Sequence, residues 1–400
     1  MPAFRKGGDA GNLKRLNDRM AASRGGLSQR VNIPVLVIAA LLIGYGALVI
    51  WTASRYIPEA SFARHLVGIG LGIGLAVLIA RTDLRQLSGM ATVLLVIDII
   101  VIFSPYIPGL SYSAKGMTGW IRFPLIGLTF QPVELAKLIT ICLMSSLGAQ
   151  YNGHIDTLRD YLKLCGMLAV PFLCVVAAGD LGSGLVVFMS GVVIIIMSGA
   201  RREWVLATIA VLIGMVTLLL TMDSVIDGIV GHDVLIKKYQ MNRLLVFIDP
   251  SADTSDAGYN LMQSLIAVGS GGFFGKGIGN ATQSTSGFLP EAQTDFVFSL
   301  LSEEFGFVGA ALLIILFALL IYATIRVALK TDSQFQRLVA CGIVGMWTFQ
   351  IFENIGMCIG LMPITGIPLP FISFGSSSML IQCATVGIVQ SIWRHRSRAA

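Results

Sequence analysis

The chain has 400 residues, 55% of them hydrophobic and only 12% charged, with a formal net charge of +6. Soluble domains carry about 25% charged residues, so this balance excludes an ordinary soluble protein and describes one that lives in a membrane. The positive charge requires no nucleic-acid partner, because Lys and Arg beside membrane spans are the usual orientation signal.

Residues 1–30 form a basic tail whose composition suits a disordered, lipid-attracted segment. It has no apolar h-region and no A-x-A site, so it is not expected to be a cleavable signal peptide. Beyond it the apolar runs predict ten helical spans, near 33–52, 63–82, 89–105, 131–149, 162–178, 183–199, 204–222, 297–325, 336–361 and 369–393. Each approaches the length needed to cross about 30 Å of hydrocarbon. The expected fold is therefore an all-α polytopic membrane domain over 31–393, followed by a short tail at 394–400. Alternate connectors carry Arg81, Arg85, Arg159, Lys163, Arg201, Arg202, Arg326, Lys330 and Arg337, and the end carries Arg394, Arg396 and Arg398. The positive-inside rule then puts both termini in the cytoplasm.

In chain order, Arg55 and Arg64 lie at outer span ends, where snorkelling arginines are common. GIGLGIG (68–74) reads as a small-residue packing face. The outer segment 104–130 holds Trp120 and Arg122, with Pro105, Pro108 and Gly109 marking irregular backbone. In FQPVELAK (130–137), Glu134 and Lys137 are spaced i, i+3 on one helix face. A charge at the bilayer centre costs roughly 2.5–3.5 kcal/mol, so this pair either fixes packing or lines a polar groove. Asp180, in AAGDLGSG (177–184), is either the N-cap of the sixth span or part of the same groove. The six cysteines sit in apolar segments without CxxC spacing and read as core residues, and the four histidines are scattered, so no metal cluster is proposed.

One outer connector is long, about 223–296. Within it YNLMQSLIAV (259–268) has the spacing of a short interfacial or re-entrant helix. GSGGFFGKG (269–277) follows no strand and has Gly277 after Lys276, so it fails as a phosphate loop. Where the connector re-enters the membrane stands Asp295, with Glu291 four residues earlier. A partly desolvated carboxylate at a membrane edge suits a general base; alternatively Thr294 or Asp295 caps the eighth span. A transporter would place such charges near the midplane, whereas here they gather at the outer edge.

Several long motifs occur together: KGMTGWIRF (115–123), FQPVELAK, GDLGSG (179–184), YQMNRLLVFIDP (239–250), GYNLMQSLIAVGSGGFFGKG (258–277), LPEAQTDFVFSLLSEEFGFVG (289–309) and NIGMCIGLMPITGIPLPFISFGSSS (354–378). In these the chain resembles the SEDS proteins (shape, elongation, division and sporulation), collinearly from about 31 to 393. FENIGM (352–357) and the QSLIAVGSGG run make it RodA-like rather than FtsW-like.

The resemblance implies a peptidoglycan glycosyltransferase that polymerises lipid II on the outer face of the bacterial cytoplasmic membrane, for elongation and rod shape. An FtsW-like septal polymerase and a lipid II flippase are the alternatives. It implies Asp295 as the catalytic carboxylate, with Glu134, Lys137 and Asp180 lining the groove and Gln131, Trp120 and Glu291 completing the substrate-binding set. Arg122, Lys137, Arg55 and Arg243, or a divalent cation such as Mg or Mn, would meet the charge of the lipid diphosphate. The sequence carries no soluble transpeptidase domain, so the resemblance implies a class B penicillin-binding protein as partner, beside other elongation-complex proteins.

Overall fold

The computed structural model describes residues 30–107, 111–114, 117–122, 129–230, 245–247 and 257–396. A helix stands at each of the ten predicted places: α1 (Ile33–Ala53), α2 (Phe62–Ile79), α3 (Ala91–Phe103), α4 (Pro132–Gly148), α5 (Leu158–Ala177), α6 (Leu181–Met197), α7 (Arg202–Val230) and, later, α10 (Val297–Leu329), α11 (Gln334–Cys358) and α12 (Ser376–His395). Two shorter helices lie between, α8 (Ala257–Ser270), at the predicted re-entrant site, and α9 (Thr282–Thr285). Among the described residues six helices are by themselves long and apolar enough to cross a membrane, and Ala91–Tyr106 and Leu181–Met197 are shorter apolar ones.

The helix starts follow the local chemistry. The Asn32 side chain accepts the Val35 amide and Pro34 follows, while Thr157 and Ser333 accept the Asp160 and Gln336 amides. The last span begins at Ser376 rather than at 369. Pro363, Pro368 and Pro370 remove backbone donors, and this stretch runs instead as an irregular loop.

Helix α4 is buried around nearly its whole circumference, from Pro132 to Gly148. It is the hub, packed by α3, α6 and α11, whereas α2 leaves Leu66, Leu71, Ile73 and Leu78 exposed on a face suited to lipid. The glycine face of α2 meets α12: a Cβ on Gly72 would stand 2.9 Å from Cβ of Cys383, and one on Gly68 2.9 Å from Cα of Ser376. The two ends of the domain meet as well. The Asn32 amide donates to Oε1 of Gln390 (2.8 Å) and Nε2 of Gln390 donates back to the Asn32 carbonyl (2.9 Å), so the start of α1 and the end of α12 lie at one end of the bundle.

Two features depart from the sequence reading. The segment expected to be irregular contains an antiparallel sheet of β1 (Ser111–Ala114), β2 (Met117–Arg122) and β3 (Thr129–Phe130), with Tyr112 opposite Trp120 and Ile121 opposite Phe130. Aromatic and β-branched residues at these positions favour the pleated surface over coil. Helix α10 is also interrupted at Gly306, which has φ +63°. The glycine-rich segment 271–277 fills the break: the amides of Lys276 and Gly277 donate to the carbonyls of Glu303 and Glu304, and those of Phe307 and Val308 donate to the carbonyls of Gly272 and Phe273. A Cβ on Gly275 would stand 2.1 Å from the Glu304 carbonyl oxygen. These glycines therefore serve close backbone approach. Lys276 and Glu303 secure the same contact with a 2.7 Å ion pair.

Candidate functional site

The site lies at the end of the bundle opposite the termini, where α4, α6, α10 and α12 begin. Asp295 sits two residues before α10, half-buried. The backbone turns at Glu291, a non-glycine residue with φ +54°. Its carbonyl accepts the amides of Thr294 and Asp295 (3.1 Å each) and of Phe296 (3.2 Å). The N-cap of α10 is Phe296, without a side-chain hydrogen bond. The cap position thus falls one residue after Asp295 and two after Thr294. The Thr294 hydroxyl donates instead to Oε2 of Glu291 (2.9 Å).

Three successive carbonyls fix this turn. The Gln293 carbonyl accepts the Phe374 amide (2.8 Å), that of Thr294 accepts the Ser373 hydroxyl (2.7 Å), and that of Asp295 accepts Nδ2 of Asn354 (2.8 Å). Asn354 also donates to the carbonyl of Ile367 (2.8 Å), so one buried amide clamps the Asp295 turn to the proline-rich loop. Beneath it the hydroxyls of Ser264 and Ser299 are 2.6 Å apart and Ser264 donates to the Cys358 carbonyl (2.8 Å), joining α8, α10 and α11. The loop brings Gly366 against the carboxylate: a Cβ there would lie 3.2 Å from Oδ2 of Asp295. The Thr365 hydroxyl donates to Oε1 of Glu353, a buried carboxylate on α11.

Asp180 joins this centre through the turn before α6. It caps α6 by accepting the Ser183 amide (2.8 Å) and also accepts Nε2 of Gln131 (3.2 Å), so it is a cap and a polar link at once. A Cβ on Gly182 would lie 3.2 Å from the Thr365 carbonyl oxygen, which sets the α6 start beside the Gly366 loop. The Gln131 amide donates to Oγ of Ser377 (3.1 Å), and that hydroxyl donates to the Thr129 carbonyl (2.9 Å). The starts of α4, α6 and α12 thus converge, and their backbone dipoles make this end electropositive.

Glu134 and Lys137 form a 2.6 Å pair within α4, and they are only 2% and 1% exposed. Oε2 of Glu134 has no hydrogen-bond partner. The sequence reading offers Lys137 as a cation for the diphosphate; in the fold its ammonium is buried and already held by Glu134. Arg55 is exposed and lies over the Trp51 ring at 3.7 Å, while Arg122, also exposed, lies 5.4 Å from the Tyr112 ring beside the half-buried Trp120. Arg243 lies outside the described residues. Among the described residues no three His, Cys, Asp or Glu side chains form a metal-holding group.

Asn354, Gly366, Glu353 and Thr365 are absent from the sequence-derived set. Glu353 and Asn354 carried a usable signal, since polar side chains inside an apolar span are seldom idle. Gly366 carried none, because its closeness to Asp295 exists only in the fold.

The FtsW, RodA and SpoVE family, described as cell cycle proteins, matches residues 32–398. Peptidoglycan glycosyltransferase MrdB of Escherichia coli (strain K12) is 34% identical over 362 residues, covering 90% of this chain and 93% of that protein. Stage V sporulation protein E of Bacillus subtilis (strain 168) is 32% identical over 363 residues, covering 90% and 94%. Among solved structures, a chain from a peptidoglycan synthase complex that coordinates polymerization and crosslinking aligns with TM-score 0.70 at 28% identity, covering 90% of this chain and 97% of that one. The rod shape determining protein RodA of Thermus thermophilus aligns with TM-score 0.64 at 26% identity, covering 91% and 97%.

Proposed function

This chain belongs to the FtsW, RodA and SpoVE family of cell cycle proteins, and on that premise we propose that it is a RodA-like peptidoglycan glycosyltransferase that polymerises lipid II with Asp295 as general base. The observation that carries the assignment is the setting of Asp295: a half-buried carboxylate against Gly366, on a turn whose three carbonyls are fixed. It stands beside an end of the bundle made electropositive by three helix starts.

In the reaction the acceptor sugar's 4-hydroxyl attacks the anomeric carbon of the donor. Asp295 takes the hydroxyl proton as the new C–O bond forms, and the bond to the lipid diphosphate breaks. General-base help of this kind contributes typically 10²–10⁴ in rate. The departing diphosphate gathers negative charge, which the converging helix starts and the exposed Arg55 and Arg122 favour. The Glu134–Lys137 pair acts beneath them as a buried dipole. The polyprenyl tail stays in the hydrocarbon, holding donor and catalyst at one depth.

The basic connectors at the terminal end orient that end to the cytoplasm, so the site opens on the outer face of the bacterial cytoplasmic membrane. Crosslinking requires a partner, a class B penicillin-binding protein, in line with the synthase complex to which the chain is similar.

Purified chain with such a partner should convert lipid II into a ladder of glycan products, and a folded Asp295→Asn variant should produce none. A ladder of equal intensity from the variant removes Asp295 from the mechanism; lipid movement without any ladder supports a transporter instead.

A further inference from the structure

At the opposite end of the bundle, far from Asp295, a cavity of about 430 Å³ opens between the start of α1, the last turns of α10 and the end of α12. That volume is in the range of small-ligand sites. Asn32 in its lining is held by the reciprocal hydrogen bonds with Gln390, and Ile38 and Leu319 make its walls apolar. Arg326 and Lys330 stand one turn apart on its rim, with Tyr322 and Trp393 beside them. Cζ of Arg326 is 5.9 Å from the Tyr322 ring, and Nζ of Lys330 is 5.5 Å from the Trp393 ring. No acidic residue lines the cavity, and among the described residues neither cation pairs with a carboxylate.

We propose that this cavity binds one anionic phospholipid of the cytoplasmic leaflet, its phosphate between Arg326 and Lys330 and an acyl chain along Ile38 and Leu319. Charge and depth both select this occupant. Basic pockets between helices on the cytoplasmic side suit anionic head groups, and Tyr and Trp favour that interfacial level. The chain's own N-terminal segment leaves from the rim at Val31, but it carries Arg5, Lys6, Lys14, Arg15, Arg19, Arg24 and Arg30 and is repelled by the two cations. A partner's transmembrane helix needs about 30 Å of contact, whereas the Val31–Ile38 wall extends only about 10 Å at 1.5 Å per residue.

The test titrates the full chain in detergent with dioleoyl-phosphatidylglycerol or dioleoyl-phosphatidylcholine and counts bound lipid by native mass spectrometry. The wild type should retain one phosphatidylglycerol with a preference of about thirtyfold over phosphatidylcholine, as two basic contacts imply. The Arg326→Gln/Lys330→Gln variant should lose that preference, while Arg201→Gln/Arg202→Gln, which neutralises exposed cations elsewhere at the terminal end, should keep it. Ala323→Phe fills the cavity with both charges intact and should also abolish retention, so a folding defect in one variant does not decide the matter. Equal retention by the Arg326/Lys330 variant, equal loss in the Arg201/Arg202 control, or displacement by inorganic phosphate at matched concentration would each overturn the assignment. Glycan polymerisation by the Arg201/Arg202 control should equal that of the wild type.

Discussion

Asp295 owes its position to neighbours brought from distant parts of the chain. Asn354 holds its carbonyl, Ser373 that of Thr294, and Gly366 leaves room for its carboxylate. Gly366 has φ +76°, a conformation that costs a residue bearing a Cβ roughly 1–2 kcal/mol. Gly366→Ala therefore strains the loop and drives a methyl group to 3.2 Å from Oδ2 of Asp295. We expect a folded protein whose turnover falls about 10- to 100-fold, since sub-ångström misplacement of a base is costly, with lipid II affinity little changed. Single-turnover polymerisation beside equilibrium lipid II binding checks this, and wild-type turnover would show that the loop does not aim the carboxylate.

On the scale of elements, α4 presents a choice that its sequence left open. The Glu134–Lys137 pair is almost wholly buried, and removing one member of such a pair costs about 3–5 kcal/mol because it strands the other charge. Lys137→Met should therefore lower thermal stability sharply, and Glu134→Gln/Lys137→Met should recover most of it. Polymerisation decides between packing and catalysis: recovery of stability and activity together makes the pair a packing device, whereas stability without activity shows that the substrate senses its dipole. Helix α10 carries a different lesson. Its break at Gly306 follows the polar run Ser302, Glu303 and Glu304, and the amides of Lys276 and Gly277 that satisfy the freed carbonyls lie about thirty residues earlier, in a segment that looks like a failed phosphate loop.

Across the whole molecule, α2 and α12 pack at close range, with Gly68 and Gly72 admitting Ser376 and Cys383. Because Ser377 at the start of α12 also holds the Gln131 amide, this packing carries over to the site. Gly68→Val should push the start of α12 away, lowering the melting temperature in detergent and weakening polymerisation in the same variant. A variant that melts earlier yet polymerises at the wild-type rate would separate the packing from the site. The domain closes on itself through Asn32 and Gln390, at the end of the bundle opposite the Asp295 turn.

The sequence by itself determined the membrane class and the ten helices, and it supplied the expectation of cytoplasmic termini and of Asp295 as the reacting carboxylate. These rest on hydropathy runs, basic connectors and capping residues, which are local in the chain. The tertiary structure alone decided the sheet around Trp120, the glycine-filled break in α10 and the burial of Lys137 against Glu134. It also decided the clamp from Asn354 to Asp295, between residues 59 apart in the chain. Each of these depends on which backbone groups meet across the bundle, and a hydrogen-bond partner or a missing Cβ has meaning only once its neighbour from a distant segment has arrived.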